Sequence, residues 1–231
     1  MILQDDARQY MMNWLREYIN EKCLVRINPA VEKPLPGRKK GDEYGSQYYM
    51  RRGLFNAKFL NYVGILFWDI FYEEYTKEPF QISGLETGST PLIVGLTMSA
   101  RAFDLDVNSF SIRKEKKTYG LLNRMEGIVD PKLPVMLVDD LCNSKETMWL
   151  AKKYCEEENL KIYDKGFVIL NKIHRQEWND TNPELHTKDK YLGRDIEIKN
   201  LFYADDFDGS FKRYQINKYL QQKQLDKQLN N

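Results

Sequence analysis

Residues 134–138 form a short apolar run that leads straight into two adjacent acids, Asp139 and Asp140, and from there into a helical pattern over about 144–158. The same order of strand, polar turn and helix recurs along the chain. Further strands are predicted at 80–83, 109–112, 166–170 and 196–203. A turn at 84–88 precedes a helix around Pro91, a residue that suits a helix's first turn. Strands alternating with helices predict an α/β protein with a central, mostly parallel sheet flanked by helices. In such sheets ligands sit outside the carboxyl ends of the strands. The segments after Ser83, Ile112, Val138 and Leu170 are therefore where chemistry is expected.

Upstream, residues 5–20 read as an amphipathic helix with Ala7, Tyr10, Met11, Trp14 and Tyr18 on its apolar stripe. Residues 28–46 carry prolines, glycines and the basic cluster Arg38, Lys39 and Lys40, and read as a long loop. The pattern at 57–72 is apolar around most of a helix and predicts deep burial. This gives an N-terminal helix and hood region over 1–56, a core over 57–215 and a polar C-terminal tail over 216–231. At 231 residues the chain suffices for one well-cored domain with a small appendage. Its 35 basic and 34 acidic residues nearly cancel, which argues against non-specific nucleic-acid binding. No apolar run approaches the roughly 20 residues that a membrane span needs. The polar N-terminus does not read as a secretory signal, so a cytoplasmic location is expected. Three cysteines, Cys23, Cys142 and Cys155, match no metal spacing and suit a reduced compartment. His174 and His186 are read as surface or packing residues.

Three segments carry the chemistry. Asp139 and Asp140 are placed to bind hydroxyls or a hydrated magnesium ion. The loop Asn143-Ser144-Lys145-Glu146-Thr147 opens a helix, where backbone amides can hold a phosphate. The plain alternative is a strand that ends in a solvated turn. Arg113, Lys114, Lys116 and Lys117 suit a mobile loop that neutralises a departing polyphosphate, or else a solvated basic loop. Glu86-Thr87-Gly88-Ser89 offers close backbone approach and hydroxyls near a helix start, or an ordinary capped turn.

Taken in order, these segments resemble the orotate phosphoribosyltransferases within the type I phosphoribosyltransferase family, over roughly residues 46–207. Residues 46–56 resemble the aromatic segment before the family's first core helix. Residues 84–91 resemble its pyrophosphate-side loop, and Arg113 to Lys117 its catalytic loop, which acts across a dimer interface. Glu126-Gly127 matches just ahead of the diphosphoribose-binding strand that ends in Asp139 and Asp140, and Asn171-Lys172 follows the next strand. The resemblance implies the type I phosphoribosyltransferase fold and an enzyme that is a pentosyltransferase. The reaction implied is transfer of 5-phosphoribosyl from phosphoribosyl pyrophosphate to a pyrimidine-like base, with release of pyrophosphate and help from Mg2+. In that reading Asp139 and Asp140 hold the ribose hydroxyls, directly or through the hydrated metal, while Arg113, Lys114 and Lys117 stabilise the leaving pyrophosphate. Glu86, Thr87, Gly88, Ser89, Asn143, Ser144, Thr147, Tyr49 and Lys172 contact substrate. A homodimer is implied, and neither a membrane nor a nucleic acid is.

The sequence also departs from the family pattern. Lys145 stands at a glycine position of the phosphate loop, beside Glu146. Asn143 and Glu146 fit a capping box, with Asn143 as N-cap and Glu146 third in the helix. That arrangement puts a carboxylate where the phosphate belongs. Tyr119 stands where the family carries a histidine, and Lys172 where an arginine holds the base's carboxylate; Arg175 is nearby. These departures keep a second reading open, a non-catalytic nucleotide-sensing or accessory protein on the same fold. A third, a nucleic-acid contact through Arg38 to Lys40, Arg51, Arg52 and Arg113 to Lys117, is opposed by the balanced charge.

Overall fold

The computed structural model of the protein describes residues 3–28, 31–36, 43–115, 123–143, 145–172 and 196–207. Helix α1, Asp5–Tyr18, passes through a π-helical turn, Ile19–Cys23, into β1, Leu24–Arg26. Short strands follow at β2 (Leu35–Pro36), β3 (Glu43–Tyr44) and β4 (Ser46–Tyr48), then the single helical turn α2 (Arg51–Leu54). The rest is α3 (Ala57–Lys77), β5 (Gln81–Leu85), α4 (Ser89–Ser99), β6 (Ser109–Ile112), β7 (Met125–Gly127), β8 (Val135–Cys142), α5 (Glu146–Glu157), β9 (Lys165–Asn171) and β10 (Glu197–Tyr203).

The central sheet has six strands in the order β10-β9-β8-β5-β6-β7. Every pairing is parallel except β6 with β7, an antiparallel edge in which Ile112 faces Met125. The α/β class and the mostly parallel sheet are thus as the alternation of patterns predicts. Successive residues of β8 feed opposite faces. Met136 and Val138 join the larger core, where α1, α3 and α4 bring Leu15, Phe67, Trp68, Phe71 and Leu96. Val135 and Leu137 join the smaller core, under Met148, Ala151 and Cys155 of α5. Helices therefore cover both faces, as a parallel sheet requires.

Helix α3 is longer than the apolar pattern at 57–72 suggests. Asn56 starts it, accepting the Phe59 N–H at 3.0 Å, and its last turns bury Tyr75, whose hydroxyl donates to the Asp106 carbonyl at 2.8 Å. It crosses α4 closely. A Cβ on Gly64 would lie 2.0 Å from Ser99 Oγ, and one on Gly95 2.4 Å from Leu60 Cγ. The expected stripe on α1 is rotated. Leu15 and Ile19 are fully buried, while Tyr10 is 57% exposed and lies edge-on to Tyr62. Aromatic residues at this helix pair stack on each other and under Lys58, whose Nζ is 4.6 Å from the Trp14 ring centre, while Trp14, Tyr18 and Tyr62 pack half-buried against the core. The predicted loop at 28–46 contains the small strand pair β2 with β3, and the pairing of β1 with β4 closes its base. Arg38, Lys39, Lys40, His174, His186 and the tail at 216–231 lie outside the described residues. The three cysteines are buried thiols. Among the described residues no helix is long and apolar enough to cross a membrane.

Candidate active site

The chain leaves β5 to one side for β6 and returns on the other as β8, so the order of the sheet reverses between β5 and β8. A crevice outside the carboxyl ends of two such strands is where open α/β sheets bind ligands. The two strands pair through Gln81 with Val135, Ile82 with Met136 and Ser83 with Leu137. At Gly84 they come so close that a Cβ would sit 2.3 Å from the Val138 carbonyl oxygen. Beyond that point β5 ends at Leu85, but β8 continues. It does not stop at Val138 as the apolar run suggests; β9 goes on pairing with it, Asp139 with Val168, Leu141 with Leu170 and Cys142 with Asn171. Hydrogen bonding from one neighbour suffices to keep the backbone extended after the apolar residues run out. The acid pair therefore belongs to the strand itself, held rigidly at its unpaired edge.

Asp139 is only 7% exposed, and the Asp140 N–H donates to its Oδ1 at 2.9 Å. Burial, and next the adjacent Asp140 charge, push the Asp139 carboxyl well above the usual carboxylate range, while Lys114 draws it back down. Burial also raises Asp140, opposed by its hydrogen bond with Asp139 and by the charge of Arg51. In the sequence reading Arg51 figures only in the nucleic-acid alternative, although it lies within the segment that resembles the family's aromatic stretch. Gly88 faces the pair: a Cβ there would lie 3.4 Å from Asp140 Oδ1 and 3.6 Å from Asp139 Oδ1. Two crowded, desolvated carboxylates beside a side-chain-free gap call for a cation or for hydroxyl donors. Among the described residues no group of three or more His, Cys, Asp or Glu could form a protein cage for a metal. A carboxylate pair of this kind fits Mg2+, which keeps several waters and completes its shell with substrate oxygens.

The loop after β5 lies on one side of the pair. Thr87 is exposed, and the Glu86–Thr87 peptide bond is cis. Ser89 is fully buried and its Oγ donates to the Leu85 carbonyl at 2.6 Å, so that hydroxyl closes the turn instead of facing the crevice. Glu86 Oε1 accepts the Lys114 N–H at 3.2 Å. Arg113 pairs with Glu126 at 3.0 Å and approaches Glu86 at 4.0 Å. Lys116, Lys117 and Tyr119 lie outside the described residues.

The loop after β8 lies on the other side. Asn143 is exposed, Ser144 is outside the described residues and Thr147 is half-buried. The expected capping box is not formed. Helix α5 begins at Glu146, which is its first residue and not its third, and Lys145 is the N-cap with φ 54° and ψ 1°. That left-handed backbone interrupts the helical path, so Asn143 lies outside it. It is also the conformation that favours glycine, the residue to which the family resemblance assigns this position. The Glu146 carboxylate remains in the helix's first turn, exposed.

At the far end of β9, the Lys172 N–H donates to the Cys142 carbonyl at 2.7 Å, tying the chain across the end of β8. Its half-buried ammonium lies 6.0 Å from the centre of the Tyr48 ring, and burial lowers its pKa. Tyr48, which the sequence reading places in the aromatic segment but not among the substrate contacts, is buried and donates to the Ala204 carbonyl at 3.4 Å; burial pushes its phenol up to about 12. Tyr49 points away, 49% exposed, with the Arg52 guanidinium 5.7 Å from its ring. The alternation along β4 and onward, exposed Gln47 and Tyr49 about buried Tyr48, was the available signal. Arg175 lies outside the described residues.

No protein-family model matches the chain. Over 130 residues it is 29% identical to an orotate phosphoribosyltransferase of Methanocaldococcus jannaschii, a match that spans 55% of this chain and 68% of that protein. A phosphoribosyltransferase from Corynebacterium diphtheriae superposes with a TM-score of 0.63 over 85% of this chain and 98% of its own, at 16% identity. The chain is orotate phosphoribosyltransferase-like in sequence and has the phosphoribosyltransferase fold. A Mycobacterium tuberculosis orotate phosphoribosyltransferase solved with 5-phospho-alpha-D-ribosyl 1-diphosphate also shares the fold, with a TM-score of 0.55 over 88% of this chain and 93% of its own, at 10% identity. In this phosphoribosyltransferase fold the acid pair lies at the β5–β8 reversal, and the loops after β5 and β8 flank it.

Proposed function

We propose that the chain transfers a 5-phosphoribosyl group from phosphoribosyl pyrophosphate to a pyrimidine-like base. The observation that carries this reading is the buried pair Asp139 and Asp140 at the strand-order reversal, with Gly88 leaving open the space in front of it. In the reaction the C1–O bond to pyrophosphate breaks, a C1–N bond to the base forms, and the base nitrogen gives up its proton. Such a transfer depends on positioning and on stabilising the charge that builds on the leaving group. Asp139 and Asp140 accept hydrogen bonds from the ribose hydroxyls and would hold Mg2+ through its waters; the metal supplies charge neutralisation for the pyrophosphate. Glu86, Thr87 and Gly88 present backbone to the pyrophosphate, and Lys114, whose charge already acts on Asp139, stabilises the leaving group. Arg113 and Lys117 are assigned to the same task. Asn143, Ser144 and Thr147 receive the 5′-phosphate.

The base belongs at Lys172, with Tyr48 beneath the ammonium. Lysine offers a point charge in place of the planar two-point contact of arginine, which relaxes the demand for a carboxylate on the base. A homodimer, in which the basic loop serves the neighbouring subunit, is part of the proposal and is checked by light scattering.

The test is a calorimetric titration with phosphoribosyl pyrophosphate and Mg2+, followed by a screen of orotate, uracil and related bases for pyrophosphate release. Binding that is abolished in Asp139→Asn/Asp140→Asn, and turnover with at least one base, are expected. No binding to the wild-type protein would sink the reading.

A further inference from the structure

Lys114 can act on the leaving group only if its backbone is fixed, since a lysine side chain is long and has many rotamers. It sits at the end of β6, two residues past Ile112, where the sheet's edge gives way to a basic segment. The pairing of β6 with β7 continues past Ile112 and Met125, and the Arg113 N–H donates to the Arg124 carbonyl at 2.9 Å. Arg124 then turns its guanidinium back. Its Nη1 donates to the Lys114 carbonyl at 3.0 Å and reaches the Arg113 carbonyl at 3.5 Å. The same guanidinium lies 3.6 Å from the ring centre of Tyr154 on α5, and the Tyr154 hydroxyl donates to the Lys114 carbonyl at 3.3 Å. The other side of this residue is held by Glu86, which accepts the Lys114 N–H. Both backbone polar groups of Lys114 are thus gripped by side chains from three different segments: the loop after β5, the start of β7 and helix α5.

We propose that Arg124 and Tyr154 are positioning residues that fix Lys114 beside the acid pair. The inference rests on the function proposed above for Lys114's charge, but the clamp itself is a property of the fold. Arginine stacked flat on an aromatic ring loses little further freedom when it donates, so the pair makes a stiff support. Because α5 begins at the loop assigned to the 5′-phosphate, Tyr154 also ties the two ends of the donor site to one helix.

The clamp is tested in two ways. Amide hydrogen exchange at Lys114 should accelerate about tenfold or more in Arg124→Met, and less in Tyr154→Phe, which keeps the stack, while core amides such as Ile169 stay as protected as in the wild type. Unchanged protection of Lys114 would overturn the proposal whether or not the chain is an enzyme. For turnover, Arg124→Met should lower kcat between about tenfold and a hundredfold with little change in the KM of the base. In a Lys114→Met background the same substitution should do almost nothing more. Equal losses in both backgrounds would show that Arg124 acts independently of Lys114 and would refute its positioning role. Absence of phosphoribosyl pyrophosphate binding in the wild type would instead count against the function alone, with the exchange result still deciding the clamp.

Discussion

Glycine at position 145 should make this protein more stable than alanine there, although the residue stands on the rim of the proposed donor site. Its φ of 54° and ψ of 1° put it in the left-handed region, at the N-cap of α5. An L-residue pays roughly 1–2 kcal/mol for that conformation, because its Cβ crowds the following carbonyl. Glycine avoids this, but its greater freedom in the unfolded chain costs about 0.5–1 kcal/mol relative to alanine. The difference leaves glycine ahead of alanine by about 0.5–1 kcal/mol. The comparison of Lys145→Gly with Lys145→Ala is the clean one, since both remove whatever the lysine side chain contributes. For a domain of this size a gain of that order raises Tm by roughly 1–4 °C. Calorimetric melting of the two variants in the same buffer measures it. If Lys145→Ala melts at or above Lys145→Gly, the left-handed backbone is not costing what the geometry says. The same variants report on function: a glycine here restores the residue that the family resemblance expects, so Lys145→Gly should bind phosphoribosyl pyrophosphate at least as well as Lys145→Ala.

Three further substitutions probe other parts of the structure. Gly88→Ala places a methyl group at ordinary contact distance, 3.4 Å from Asp140 Oδ1, so Tm should move little, yet the gap in front of the carboxylates is filled and calorimetry should show donor binding weakened at least tenfold. Gly64→Ala drives a methyl to 2.0 Å from Ser99 Oγ and should cost about 1–3 kcal/mol in chemical denaturation, with part of the loss recovered by Ser99→Gly. Lys172 has its pKa lowered by burial, so between that value and the ordinary 10.5 the unfolded chain binds more protons than the folded one. Stability due to this group therefore rises with pH through that window and is lowest where the lysine is charged. Lys172→Met should remove that slope from the pH dependence of unfolding while raising the KM of the base.

The sheet was legible in the sequence because continuous apolar runs, each followed by a polar turn, admit few other arrangements. Ser109–Ile112 falls where its pattern predicts. The errors lie where hydrogen bonding outlasts hydrophobicity. β8 carries Asp139, Asp140, Leu141 and Cys142 because β9 lies alongside, and no local property of those residues announces that partner. β7 is too short and too exposed to leave a periodic trace, so its antiparallel edge escaped. The capping box failed for a related reason: Asn143 and Glu146 have suitable side chains, but a left-handed Lys145 between them starts the helix later, and backbone handedness at a lysine is invisible to a side-chain motif.

The candidate site divides along the same line. The acids, the glycine facing them and the basic segment could be found because they are unusual residues at strand ends. The supporting roles of the residues that hold them could not, because Arg51, Tyr48, Arg124 and Tyr154 come from other parts of the chain and are chemically ordinary where they stand. What unites them is that each acts on a residue at the crevice. Arg51 acts on Asp140, Tyr48 lies beneath Lys172, and Arg124 and Tyr154 grip Lys114. Charges in a partly desolvated crevice interact more strongly than they would in water, so small shifts in these supporting residues carry large consequences for the acid pair. It follows that substitutions at Arg51 and Arg124 should disturb the site more than the loss of Arg52, which meets the Lys22 carbonyl and the Tyr49 ring instead, even though nothing in the composition of the chain distinguishes one arginine from another.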